Sequence, residues 1–290
     1  MNKNLRVIAA LFVITLFSIS CARLALRASP SLLDNFSSAI FEECDPELAK
    51  IAIPANLKLM EGLLRNDPGN RQILTLLSMG FSGYSMLFIE ADDPVRGSLL
   101  YLRAKDYAIR ALGRKGYVLK DMAMLRENLE GALSEMTGND LKALSWTAMS
   151  WNAWINLNLD KPAALAQLRY SQACLEKVIE IDANYFHGLP FILMGSSLAV
   201  RPKMFGGNPE KAQDYFEKAL RLTNRKFFLA HYYYAKYYTV RTQKKKMFFS
   251  LLREIIHGNP EELKDMCLIN AVIQDKAKKL KEEADDLFLN

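Results

Sequence analysis

Residues able to do chemistry are few and scattered. The three histidines, His187, His231 and His257, lie far apart, and none stands in an HExxH or comparable ligand spacing. Each reads as a solvated or core histidine, so no metal is expected. Asp92-Asp93 and Asp285-Asp286 are adjacent carboxylates, which point apart on a helix and cannot readily share a proton. Asp92-Asp93-Pro94 instead fits a helix N-cap followed by proline in the first turn. There is no GxSxG, no P-loop and no GxGxxG after a strand. The chain is therefore not read as an enzyme, and no cofactor is expected.

Recognition chemistry is better represented. The run from His231 to Tyr238 carries five tyrosines within about two helical turns. Three consecutive tyrosines sweep about 200° of a helix at roughly 100° per residue, so they cannot all face one core. Tyr234, Tyr237 and Tyr238, spaced by three and four, are expected to form the packed stripe. Tyr232 and Tyr233, with Lys236 near them, are left over for a ligand or partner surface. Trp151 and Trp154 share a face and read as core, which leaves Trp146 the freer candidate. Met204 and Phe205 sit beside the flexible pair Gly206-Gly207, placed either to insert into a partner or to fold back on their own repeat.

The N-terminus differs in kind from the rest. Lys3 and Arg6 form a basic head, Val7 to Ile19 is almost wholly apolar, and Ser18 and Ser20 precede Cys21. This is an export signal, too short for a comfortable transmembrane helix. Phe17-Ser18-Ile19-Ser20-Cys21 resembles the lipobox of bacterial lipoproteins, with Ser18 where leucine is usual and Ile19 where a small residue is usual. Lipidation at Cys21 is expected, with plain secretion after ordinary cleavage at the same bond, or an uncleaved anchor, as the alternatives. The division expected is a signal peptide over residues 1–20, a lipid-anchored linker over 21–45 and a helical domain over 46–290. No later segment reads as long and apolar enough to span a membrane. Cys44, Cys174 and Cys267 are expected as buried small hydrophobes, one disulfide among them being the alternative.

The net charge of +6 falls to about +4 once Lys3 and Arg6 leave with the signal. Lys244 to Lys246 and the cluster Lys276, Lys278, Lys279 and Lys281 read as solvated faces, and nucleic acid is an unsuitable partner for an exported chain.

The elements that must position these residues are helices in a repeat. Met60–Pro68, Leu175–Ala183, Phe216–Asn224 and Leu252–Pro260 share one pattern: apolar residues at helical spacing, then a stop drawn from Asp, Asn, Thr and Pro. A second apolar helix follows each mark. The last three marks recur at about 41 and 36 residues, near the tetratricopeptide period of about 34. Gly195, Ala212, Phe216 and Ala219 make the best match, and Ala104, Ala108, Ala111 and Gly116 repeat the pattern less clearly. No alternating strand pattern appears. The fold class expected is all-α, with tetratricopeptide-like stacked helix pairs.

Three stretches carry a family resemblance: Phe205-Gly206-Gly207-Asn208-Pro209-Glu210-Lys211-Ala212, then Tyr215 to Leu220, then the tyrosine-rich helix. With Phe248 to Ile255 and the closing Asn270 to Phe288, they resemble the T component of tripartite ATP-independent periplasmic (TRAP) transporters, most densely from Leu165 to Phe288. The resemblance implies a periplasmic lipoprotein accessory that docks a solute-binding protein. It also implies a homotrimer with a pore in each protomer suited to a hydrophobic solute. A scaffold for assembling an envelope complex is the other reading of stacked helix pairs.

Overall fold

In the computed structural model, residues 30–289 are described; residues 1–20, expected as a signal peptide, and Cys21 lie outside them. Among the described residues there is no strand, as the all-α pattern requires. Helix α1 (Pro30–Phe41) occupies part of the stretch expected as a linker, with Leu33 buried against the core. Helix pairs follow. The first is α2 (Pro46–Asn66) with α3 (Arg71–Tyr84), which continues into a π-helical turn, Ser85–Ile89. Next come α4 (Pro94–Ala111), an inserted α5 (Met122–Ser134) and α6 (Leu141–Asn156), in which α4 packs on α6. The later pairs are α7 (Leu168–Asp182) with α8 (Tyr185–Val200), and α9 (Pro209–Leu222) with α10 (Phe228–Tyr233), which runs into a second π-helical turn, Tyr234–Thr239. Helices α11 (Lys245–His257) and α12 (Cys267–Glu282) complete the array.

Short polar side chains start these helices. Asp45, Asn70, Asp93, Asp121 and Asn208 each accept hydrogen bonds from backbone N–H groups of the first turn, each cap worth about 1 kcal/mol. Asp93-Pro94 and Asn208-Pro209 are the cap-plus-proline starts the sequence predicts. The small residues of the repeat let helices approach. A Cβ on Gly195 would stand 3.1 Å from the Phe216 ring, which in turn stacks on Tyr234 with centroids 4.8 Å apart. Ala104, Ala108 and Ala111 are fully buried, so the fainter repeat in α4 is a full member of the array. Its inner partner, α6, is displaced along the sequence by the insert of residues 113–134.

The array closes on itself. Helix α12 packs against α1, α2 and the π turn after α3. Lys276 Nζ donates to the Met86 carbonyl at 2.5 Å, and Lys264 pairs with Glu42 at 3.5 Å. Cys44 and Cys267 form a disulfide across 223 residues. Cys174 is a free buried cysteine, as expected, but the other two are bonded. Their spacing in sequence hides that closure brings their Cα atoms to 5.2 Å. Residues 71–89 correct a second expectation, since they are long and apolar enough to cross a membrane; most of that surface is buried within this fold.

Asp140 ties the second pair to the first. It is buried and accepts hydrogen bonds from Arg71 at 2.9 Å, Lys115 at 2.7 Å and the Thr137 N–H at 3.1 Å. Burial alone would raise its pKa, but the bonds from Lys115, Thr137 and Arg71 outweigh it and hold the carboxyl below the usual range.

Two outcomes follow. In the chain-entropy account a link across this much chain restricts the unfolded state strongly, so Cys44→Ser should cost about 2–5 kcal/mol of stability by urea denaturation. Reductant should lower the stability of the wild type and leave the variant unchanged. Because Asp140 titrates lower folded than unfolded, its contribution is present above about pH 4 and is lost as the pH falls through its depressed folded pKa. Asp140→Asn should therefore lower stability at pH 7 by about 1–3 kcal/mol and by less as the pH falls below 4, measured by urea midpoints across pH.

Candidate functional site: a chamber at the hub of the inner helices

Helices α3, α6, α8, α10 and α12 form the inner layer; the C-terminal halves of α6, α8, α10 and α12, with Glu90 and Ala91 beyond α3, surround a chamber of about 420 Å³. Tyr232, Tyr233 and Tyr237 of α10 make its aromatic wall, with Leu193 and Val200 of α8 and Leu280 of α12 adding apolar surface. Polar groups enter from three sides: Asn152 of α6, Lys276 and Lys279 of α12, and Glu90 just beyond the π turn of α3. Glu90 accepts a hydrogen bond from the buried Tyr101 hydroxyl at 2.5 Å.

The two π-helical turns set what faces this space. Each adds a residue to one turn, which rotates everything after it by about 100° relative to a regular helix. The turn after α3 carries Glu90 to the chamber. The turn after α10 parts the tyrosines: Tyr234 and Tyr238 remain core, their hydroxyls donating to Glu217 at 3.1 Å and Gln213 at 2.5 Å. Tyr237, expected in the packed stripe, lines the chamber instead. Tyr232 and Tyr233 also line the chamber, although their side chains are only 8% exposed. Lys236 Nζ lies 5.8 Å from the Tyr232 ring centroid and 5.5 Å from that of Tyr237. Burial lifts the Tyr232 phenol to about 12 and raises Tyr233 and Tyr237 as well, so these hydroxyls stay neutral donors at physiological pH.

A second opening of about 580 Å³ lies at the N-terminal halves of α3, α6 and α8, beside α1. On α6 both openings use one stripe, Ala143 and Trp146 on one side, Met149 and Asn152 on the other. Trp146, the freer tryptophan by sequence, is buried at this divide; its Nε1 donates to the Tyr185 hydroxyl at 3.1 Å. Its ring meets Phe186 edge-on at 5.3 Å, and Phe186 meets Phe41 at the same distance. Phe186 and His187 hold φ of 48° and 55°, in the left-handed region that costs an ordinary residue about 1–2 kcal/mol. The strained turn aims Phe186 into this aromatic cluster and lets the regular part of α8 begin near Pro190.

Residues 42–288 match the TRAP transporter T-component family. The chain belongs to this family. A protein of Treponema pallidum (strain Nichols), described only as uncharacterized, is 24% identical over 272 residues, covering 88% of this chain and 84% of its own.

In this T-component, Met204 and Phe205 stand outside the chamber, 83% and 50% exposed on the loop between α8 and α9. Gly207 lets that loop pass the Arg201 carbonyl, which a Cβ would approach to 1.9 Å, so the apolar pair is pushed outward and does not fold back. The sequence reading missed Asn152, Lys276 and Lys279. Lys276 and Lys279 share a face at a spacing of three, and Asn152 interrupts an apolar run; both signals were present, but a solvated or capping role explains them equally well without the fold.

If the π turn sets this division, Tyr234→Phe should cost about 1 kcal/mol in urea denaturation by releasing Glu217. Tyr237→Phe should stay within about 0.5 kcal/mol of the wild type.

Proposed function

We propose that this T-component is a periplasmic lipoprotein, anchored through Cys21, that docks the solute-binding protein of its transporter and receives an apolar solute into the hub chamber. By family resemblance it works as a homotrimer. The observation that carries the reading is the tyrosine-lined chamber shared by every inner helix. A cavity of this size, mostly apolar with a few convergent polar groups, has the character of a small-molecule site. Exposed Met204 and Phe205 offer an apolar tip for protein contact. An envelope-assembly scaffold would use an open concave groove, whereas here α12 closes the array against α1 and α2.

Affinity purification from native membranes, followed by cross-linking and mass spectrometry, tests the docking. A TRAP solute-binding protein cross-linked to the chain is the expected result, and Met204→Ser/Phe205→Ser should reduce its yield. Recovery of pilus or outer-membrane assembly proteins with no solute-binding protein would overturn the reading. Metabolic labelling with palmitate should mark the wild type and not Cys21→Ser, which should also leave the membrane fraction.

A further inference from the structure

Asn152 is 1% exposed and lines the chamber, yet neither its Nδ2 nor its Oδ1 has a hydrogen-bond partner. Burying an amide with both ends unsatisfied is costly, and folded proteins rarely do so without a use for it. Three ammonium groups share the same space. Lys276 is held by the Met86 carbonyl through one of its three N–H bonds, which leaves two to donate. Lys236 and Lys279 stand near enough to oppose its charge. Burial, and then these two lysines, draw Lys276 below the ordinary lysine range, although Glu90 and Asp92 pull the other way. Of the carboxylates at the chamber, Glu90 is already engaged by Tyr101, and Glu283 lies exposed at the rim. The hydroxyls of Tyr232, Tyr233 and Tyr237 make no hydrogen bond to another described residue, unlike those of Tyr234 and Tyr238. The lysines and Asn152 thus offer donors, and the tyrosine rings, Leu193 and Leu280 offer apolar surface, within one chamber.

We propose that Asn152, Lys236, Lys276 and Lys279 form an anion seat, so that the solute of this chamber is an amphiphile with a negatively charged head and an apolar body. The head displaces nothing the protein needs: it takes the free N–H bonds of Lys276 and Asn152, while the body lies against Tyr232 and Tyr237. The inference rests on reading the chamber as a solute seat and is independent of the docking partner.

Isothermal titration of the purified full chain with octanoate, octyl phosphate and octan-1-ol tests it, since the three probes share one apolar body and differ in the head. Both anions should bind about tenfold or more tightly than the alcohol. Whichever anion binds better identifies the head as carboxylate or phosphate. Lys279→Met and Asn152→Leu should each weaken the anions about tenfold and leave the alcohol unchanged. Asn152→Leu should also hold or raise the thermal midpoint, because it removes two unpaired buried atoms; a purely structural asparagine would lower it. Equal affinity for the alcohol and the anions, or variants that weaken all three alike, would overturn the anion seat and leave the chamber reading standing. Failure of all three probes to bind the wild type would overturn the chamber reading itself, while docking is decided separately by the cross-linking experiment.

Discussion

A stack of helix pairs buries its apolar faces only against neighbours, so an open stack always leaves two unsatisfied ends. This chain removes them by bending until its last helix reaches its first pair. The contact of α12 with α1, α2 and the turn after α3 is therefore the constraint on which everything else depends. It is held by an apolar interface, by the Cys44–Cys267 link and by the Lys276–Met86 hydrogen bond. Once the array is closed, the inner layer has nowhere to face but inward, and the space at its hub is shared by all of the inner helices.

That space is where the protein departs from economical packing. A regular helix would keep Tyr237 in the core and Glu90 elsewhere, but two π-helical turns rotate them inward. A left-handed Phe186-His187 step directs an aromatic ring to the divide between the two openings, 5.3 Å from both Trp146 and Phe41. Asn152 stays unpaired on α6, where it lines the chamber. Each feature is a local cost on the inner layer, although the outer helices carry their own in Pro54 inside α2 and the unpaired buried Ser171 hydroxyl of α7. Local cost at side chains that line openings is a common mark of a functional site.

Membership of the TRAP transporter T-component family agrees with the proposed function, in which the chain needs a seat or passage for a solute and a surface for its partner. The chamber offers the first. The outward loop bearing Met204 and Phe205, forced out by the close pass of Gly207 over Arg201, offers an apolar surface away from it.

The sequence by itself determined the helices, their caps and the repeat, because these rest on residues within a turn or two of one another: Asn208-Pro209 at a start, Ala212, Phe216 and Ala219 along one face. It also singled out Tyr232 and Tyr233, because three adjacent tyrosines cannot share one side of a helix. Only the tertiary structure decided what those residues face. The partner of Cys44 lies 223 residues away and becomes its neighbour only when the array closes. Lys276 and Lys279 look like any solvated pair until α12 is laid against the turn after α3. The shift of Tyr237 follows from a π turn, a change in hydrogen-bond register that no spacing of side chains announces. Periodicity records which residues lie together on one helix; what stands opposite them is set by how far the stack bends before it meets its own beginning.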